Sequence, residues 1–284
     1  MLSFKMKACV FLVLFFLATS AQAHHTATHG GGTGFTLFNP FSTESRPPKT
    51  FLALDFSADA LDDHLGMVVK YQLSGEYAIH PKVSLGLRIP LATLREEFLP
   101  KQTSIGDVAL TFKTLLWRSS EPAMSLTFGE VTSFPTGNSN DGFGTGVVVF
   151  APYLNWAVRW HKKIDTFLTL GSSVSASHEA APTVDFATGI SVPLVGGKAP
   201  LKGLLSLQGS TNLSNDSFST GSTKAFLTPA LIWQMSPKFS TTWGFRVSVI
   251  DTLDLKPGVI LSPISPLLLT DVKMGFVFNS TYAF

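Results

Sequence analysis

Apolar and polar residues alternate with a period of two through most of this chain. From Phe51 to Phe284, about twelve segments of roughly ten residues carry apolar side chains at every second position, as barrel strands do. Val83, Leu85, Leu87, Ile89 and Leu91 fall on one face, with Ser84, Gly86 and Arg88 on the other. Val108, Leu110, Phe112 and Leu116 oppose Asp107, Thr111 and Lys113. Phe239, Thr241, Trp243, Phe245, Val247 and Val249 oppose Ser240, Thr242, Gly244, Arg246 and Ser248. The period excludes helices of 3.6 residues per turn and predicts strands.

Two kinds of connection alternate between these strands. His80 to Lys82, Ser119 to Pro122, His161 to Lys163, Gly196 to Pro200 and Ser236 to Lys238 are short, as periplasmic turns are. Longer polar stretches around Asp59 to Leu65, Arg95 to Ser104, Thr136 to Gly144, His178 to Pro182 and Asn212 to Ser222 read as extracellular loops. The stretch from Thr252 to Leu269 takes an outer-loop place, yet its apolar residues also suit an extra strand pair or a segment folded into the barrel mouth. The fold expected is all-β: a transmembrane antiparallel up-and-down β-barrel of about 12 strands, with an irregular N-terminal leader or plug.

Charge placement tests this fold independently of apolar periodicity. With the apolar set of each strand turned outward, Lys70, Glu76, Arg88, Asp107, Lys113, Arg159, Asp165, Asp185, Lys202, Lys224, Arg246, Asp271 and Lys273 all point inward and are expected to line the lumen. A Lys or Arg facing lipid at the midplane would cost about 2–4 kcal/mol. Arg118 and Asp251 share the outward phase but sit at strand ends, where that cost fades. Glu130 is outward in mid-strand, and a bulge at Gly129 would turn it inward.

Composition supports a membrane barrel. Charged residues make up 14% of the chain, against roughly 25% in a soluble domain, while apolar residues make up an ordinary 45%. Beyond the first two dozen residues there is no apolar run of about 20, which excludes spanning helices there and leaves a closed barrel. The net charge of +2 is scattered in sign, so no nucleic-acid partner is expected.

At the N-terminus, Lys5 and Lys7 precede the apolar run Ala8 to Ala18, and Ala21-Gln22-Ala23 matches a signal-peptidase site. The expected division is a signal peptide over 1–23, a His/Gly/Pro-rich leader or plug over 24–48, and the barrel over 49–284. Cys9, the single cysteine, falls in the signal segment, so the mature chain is expected to carry neither a lipid anchor nor a disulfide. His24, His25 and His29 in the leader are a candidate copper, zinc or nickel site, with a solvated tail as the plain alternative. Phe35, Phe38 and Phe41 need cover, which suits a plug inside the barrel; a periplasmic tail is the other reading.

Trp117, Trp156, Trp160, Trp233 and Trp243 lie on proposed strands, several near strand ends, as in the aromatic girdles of membrane barrels. Phe276, Phe278, Tyr282 and the terminal Phe284 are alternate residues of a last strand. They resemble the terminal signal read by the outer-membrane barrel-assembly machinery.

Three passages carry a family resemblance. They are Gly75-Glu76-Tyr77-Ala78-Ile79-His80-Pro81-Lys82-Val83-Ser84-Leu85-Gly86, Gly106-Asp107-Val108-Ala109-Leu110, and Phe134-Pro135-Thr136-Gly137-Asn138 followed by Asp141-Gly142-Phe143-Gly144-Thr145-Gly146. Together they resemble the outer-membrane barrels of the meta-pathway of phenol degradation, also described as outer-membrane transporters. The resemblance covers the first half of the barrel; the second half matches in rhythm. It implies a barrel and a link to aromatic compounds, and it brings no catalytic motif. The glycines of the third passage lack the strand-to-helix context and the lysine of a phosphate-binding loop.

The function expected is an outer-membrane channel or transporter for small solutes, whether hydrophobic, aromatic, polar or metal-linked, with lipid, the assembly machinery and the solute as partners. No cofactor is expected. Inward charges either line a water-filled path or pair across the lumen and close it. The rival is a barrel enzyme of lipase or protease type, which needs a histidine beside a serine; beyond the leader His64, His80, His161 and His178 all fall in turns or loops. A non-conducting structural or adhesive barrel is the third class.

Overall fold

A computed structural model describes residues 47–61, 67–95, 101–121, 123–138, 143–160, 164–176, 182–196, 200–212, 223–251 and 272–284. The signal segment, the leader with its three histidines and the stretch Thr252 to Leu269 lie outside the described residues. So do Asp271 and the side chains of Asp251 and Lys273.

The described elements are all strands: β1 (Phe51–Leu61), β2 (Met67–His80), β3 (Val83–Arg95), β4 (Gln102–Ile105), β5 (Ala109–Ser120), β6 (Ala123–Ser133), β7 (Val149–Trp160), β8 (Ile164–Ser175), β9 (Thr183–Val195), β10 (Leu201–Asn212), β11 (Thr223–Gln234), β12 (Phe239–Asp251) and β13 (Val272–Ala283). Each long strand pairs antiparallel with its sequence neighbours. The sheet closes because β1 takes β13 on one edge and β2 on the other, with Phe51 opposite both Ala283 and Glu76. Closure gives every long strand a partner on both edges, the condition for crossing lipid. The result is a barrel of 12 long strands with β4 as an extra short one. The expected short turns join β2 to β3, β5 to β6, β7 to β8, β9 to β10 and β11 to β12.

Paired residues share a face, so register fixes inside and outside. Leu54, Leu73, Leu87, Leu110, Leu170, Leu205 and Val247 are exposed on the outer face. All five tryptophans are also exposed there, within five residues of the short-turn ends of their strands. Trp233, Trp243 and Phe278 stand in a row with ring centroids 6.3 and 6.4 Å apart. On the closing strand, Phe276 packs against Phe56 and Phe245, and Tyr282 against Phe284. The terminal aromatics thus cover the outside of the seam between β12, β13 and β1.

Prolines interrupt the ladder where their missing N–H would have donated. Beside Pro90 the partner strand breaks: β5 pairs with Val83 to Arg88 and β4 with Leu91 to Leu94, while Gly106, Asp107 and Val108 step out between them. β4 therefore takes up the end of the stretch Arg95 to Ser104 expected to be loop and runs on to Ile105, because it resumes pairing beyond the break. Pro152 and Pro229 coincide with similar gaps, between β7 and β8 and between β11 and β12.

The outer loop after β6 is tied into the Pro90 break. Asp107 Oδ1 accepts the N–H of Gly137 at 3.0 Å, and Oδ2 accepts the N–H and hydroxyl of Thr145, each at 2.7 Å. The Thr136 hydroxyl donates to the Gly106 carbonyl at 3.1 Å and accepts the Val108 N–H at 2.8 Å. A Cβ at Gly144 would fall 2.6 Å from both Asp107 Oδ1 and the Gly137 carbonyl, so the loop closes this tightly only with glycine there. Two of the passages singled out in the sequence are therefore halves of one latch.

Further sequence expectations change. Asp59 is not loop: it is the ninth residue of β1 and fully buried. Arg118 is not on the outer face: a bulge between Leu115 and Trp117 shifts the phase of β5 and sets Arg118 opposite the inward-facing Ser125. Glu130 stays outward, between Phe112 and Pro152, because β6 pairs without a bulge along its length with β7. Gly129 serves another purpose, since the Tyr153 ring lies where its Cβ would be. At the far end of β12 a bulge sets Asp251 opposite Lys224.

Two measurements test this architecture. Leu170→Arg, in the middle of β8, should cost about 2–4 kcal/mol of barrel stability, whereas Val195→Arg at the short-turn end of β9 should cost about 0–1 kcal/mol, as read from denaturant unfolding in vesicles. Asp107→Ala should open the latch and raise the rate of chymotrypsin cleavage at Phe143 about tenfold, corresponding to the loss of one charged hydrogen bond's worth of local stability.

Candidate functional site

The inner faces carry the polar and charged residues. Two ion pairs are built alike, each reaching across a strand that presents a glycine. Lys113 on β5 donates to Glu76 on β2 at 2.8 Å, with Gly86 of β3 between the two strands. Arg246 on β12 bonds Asp59 on β1, with Gly275 of β13 directly between them in register. A Cβ on Gly275 would meet the Asp59 carboxylate, so glycine there is what lets acid and base meet. Lys70 adds a second cation 3.7 Å from Asp59, and the Arg246 guanidinium lies 5.2 Å from the centre of the Phe226 ring.

Other inward acids are held by neutral donors. Asp55 accepts from Asn279 at 2.8 Å and from Gln72 at 3.4 Å. Asp185 accepts from Ser173 at 2.8 Å and from Thr183. The Ser84 hydroxyl gives Glu76 a further bond of 2.6 Å. Buried ions need such partners, since an uncompensated one costs several kcal/mol.

Each lumen candidate can now be placed. Glu76, Arg88, Lys113, Asp185, Lys224 and Arg246 are buried inside the barrel. Lys70 is inward and about one-fifth exposed. Arg159, Asp165 and Lys202 lie near the short-turn end as one cluster, with Asp165 bridging Arg159 and Lys202. Asp107 is engaged by the outer-loop latch. Asp271 and the Lys273 side chain are outside the described residues, as are His24, His25 and His29. Asp55 and Asp59 are inward residues that sequence reading missed. Alternation with the outward-facing Leu52, Leu54 and Phe56 is the signal that would have found them.

Pairing follows the wall instead of spanning the lumen. Even so, Phe226, Gln208, Asn155, Asn279, Thr127 and Thr169 are all under 2% or close to it in exposure, so side chains pack the middle of the barrel. Towards the short-turn end this packed waist gives way to a cavity of about 1020 Å³. Pro47 and Lys49 line it, so the chain enters β1 from inside that mouth. His80, expected in a turn, is the last residue of β2; it is exposed and accepts the Lys82 N–H at 3.2 Å, the role of a turn cap. Among the described residues no three His, Cys, Asp or Glu side chains converge as a metal site would require.

No protein-family model and no curated protein matches this chain. Solved structures do match. An outer-membrane channel from Pseudomonas putida F1 aligns with a TM-score of 0.59 at 12% identity, covering 87% of this chain and 100% of that one. The NanC porin aligns at 0.52 with 10% identity over 81% of this chain and 98% of its own. The KdgM porin aligns at 0.50 with 10% identity over 82% and 99%. At these identities the likeness concerns the fold: this chain has the architecture of outer-membrane β-barrel channels.

Proposed function

We propose that this chain is an outer-membrane channel for small solutes. The observation that carries the proposal is a closed cylinder that is apolar outside and lined inside with ionic and hydrogen-bonding groups. Such an interior suits hydrated solutes, because an apolar molecule would have to displace water from paired ions while gaining few apolar contacts. Similarity of fold to outer-membrane channels supports the same reading and the same membrane.

The packed waist limits the size of what crosses. Phe226 and Arg246 stack there, so passage requires those side chains to move. The resemblance to barrels of the phenol meta-pathway suggests aromatic compounds. Within this lumen the better fit is an aromatic compound carrying polar or ionised groups. Pro47 and Lys49, among the first described residues, line that mouth, which supports the plug reading of the leader over that of a tail outside the barrel.

In planar bilayers the purified mature chain should carry discrete current steps. Arg88→Ala and Arg246→Ala should each change conductance, and Phe226→Ala should raise it by widening the waist; absence of current, or unchanged conductance in all three, counts against a lumen route. Deletion of residues 24–46 should also raise conductance, and an unchanged value would place the leader outside the path.

A further inference from the structure

The mouth at the short-turn end differs electrostatically from the rest of the lumen. Deeper in, acids either pair with a base along the wall or are held by neutral donors. At the mouth, Lys49, Arg118, Arg159, Lys202 and Lys238 line one cavity, and Asp165 is the single acidic side chain among its described lining residues. These cations come from the segment before β1, from β5, β7 and β10, and from the turn between β11 and β12, so they approach from most of the circumference.

Asp165 already serves two of them, donated to by Arg159 and by Lys202, the latter at 2.7 Å. The side chains of Lys49, Arg118 and Lys238 make no ion pair among the described residues, although the Lys49 backbone N–H donates to Glu76 Oε1 at 3.3 Å. Two nearby acids do not change this: Glu76 lies deeper and is paired with Lys113, and Glu121 sits in the turn between β5 and β6, so neither lines the cavity. The bulge that turns Arg118 inward is part of the arrangement, since regular alternation would have sent that guanidinium to the outside.

Like charges around a concave, low-dielectric wall repel one another and concentrate counter-ions. A mobile chloride screens one of them at a time. An organic anion with several carboxylates meets several at once, and a guanidinium donates two parallel hydrogen bonds to a carboxylate. The cavity volume, about 1020 Å³, is large enough for a drug-sized ligand.

We propose that this vestibule is a binding site for small organic polyanions bearing two or more carboxylates, located on the periplasmic side of the waist. Its role in permeation rests on the channel reading: a solute arriving through the waist is captured at the inner mouth, and the cations bias the pore towards anions.

The test uses the folded mature chain in zwitterionic detergent, with citrate as probe and acetate as the monovalent comparison. Calorimetry should show citrate binding that weakens with added salt and exceeds acetate binding. The Lys49→Gln, Arg118→Gln, Lys238→Gln triple variant removes three exposed cations that make no ion pair, and it should lose about tenfold or more in citrate affinity. Citrate binding no tighter than acetate, or unchanged in the triple variant, overturns the site. Bilayer recordings separate this from the channel reading. Current without citrate binding overturns the vestibule site and leaves the channel. Citrate binding without current upholds the site and removes the channel. In a conducting barrel, the reversal potential under a potassium chloride gradient should shift towards cation preference in the triple variant.

Discussion

Backbone groups in a bilayer have no water to bond with, and everything else in this structure follows from satisfying them within the chain. The pairing of β1 with both β13 and β2 achieves this by joining the two ends of the sheet. Once the sheet is a cylinder, each strand has a lipid face and an enclosed face, and the two-residue period decides which side chain goes where. Departures from a regular ladder become costly and informative. The gaps beside Pro90, Pro152 and Pro229 mark missing donors, and the Pro90 gap is filled by a loop whose hydrogen bonds come from Asp107 and Thr136.

Enclosure then sets the terms for charge. Ionic groups excluded from lipid must share a narrow interior, where each needs a partner of opposite sign or several neutral donors. The chain meets that demand by placing glycine on an intervening strand and letting an acid and a base reach over it, as Glu76 and Lys113 do at Gly86 and as Asp59 and Arg246 do at Gly275. This arrangement keeps ion pairs against the wall. The middle of the lumen is left to Phe226, Gln208 and their neighbours, whose packing makes the waist. The inner mouth escapes the rule because its cations remain in contact with water, and so charge can accumulate there with one sign.

Much of the architecture was legible in the sequence. Alternation predicts the strands, alternating short and long connections predict the up-and-down order, and a chain with few charges but no long apolar run after its first residues points to a barrel. The inward phase of Arg88, Lys113 and Arg246 follows from counting residues, because each strand keeps its period between irregularities.

What counting could not supply is anything that depends on a partner strand. A bulge moves Arg118 from outside to inside, and no residue type near Leu116 announces it, because a bulge is a mismatch between two strands and not a property of one. The same limit explains the mistaken bulge at Gly129, where the glycine answers to the ring of Tyr153 on β7. It explains why Asp59 read as loop: its partners, Lys70 and Arg246, lie 11 and 187 residues away. Sequence by itself determined the period, and hence the strands and their two faces, since alternation is local. Only the closed structure decided which charges meet, where the lumen narrows and where cations collect, since those depend on register between strands distant along the chain.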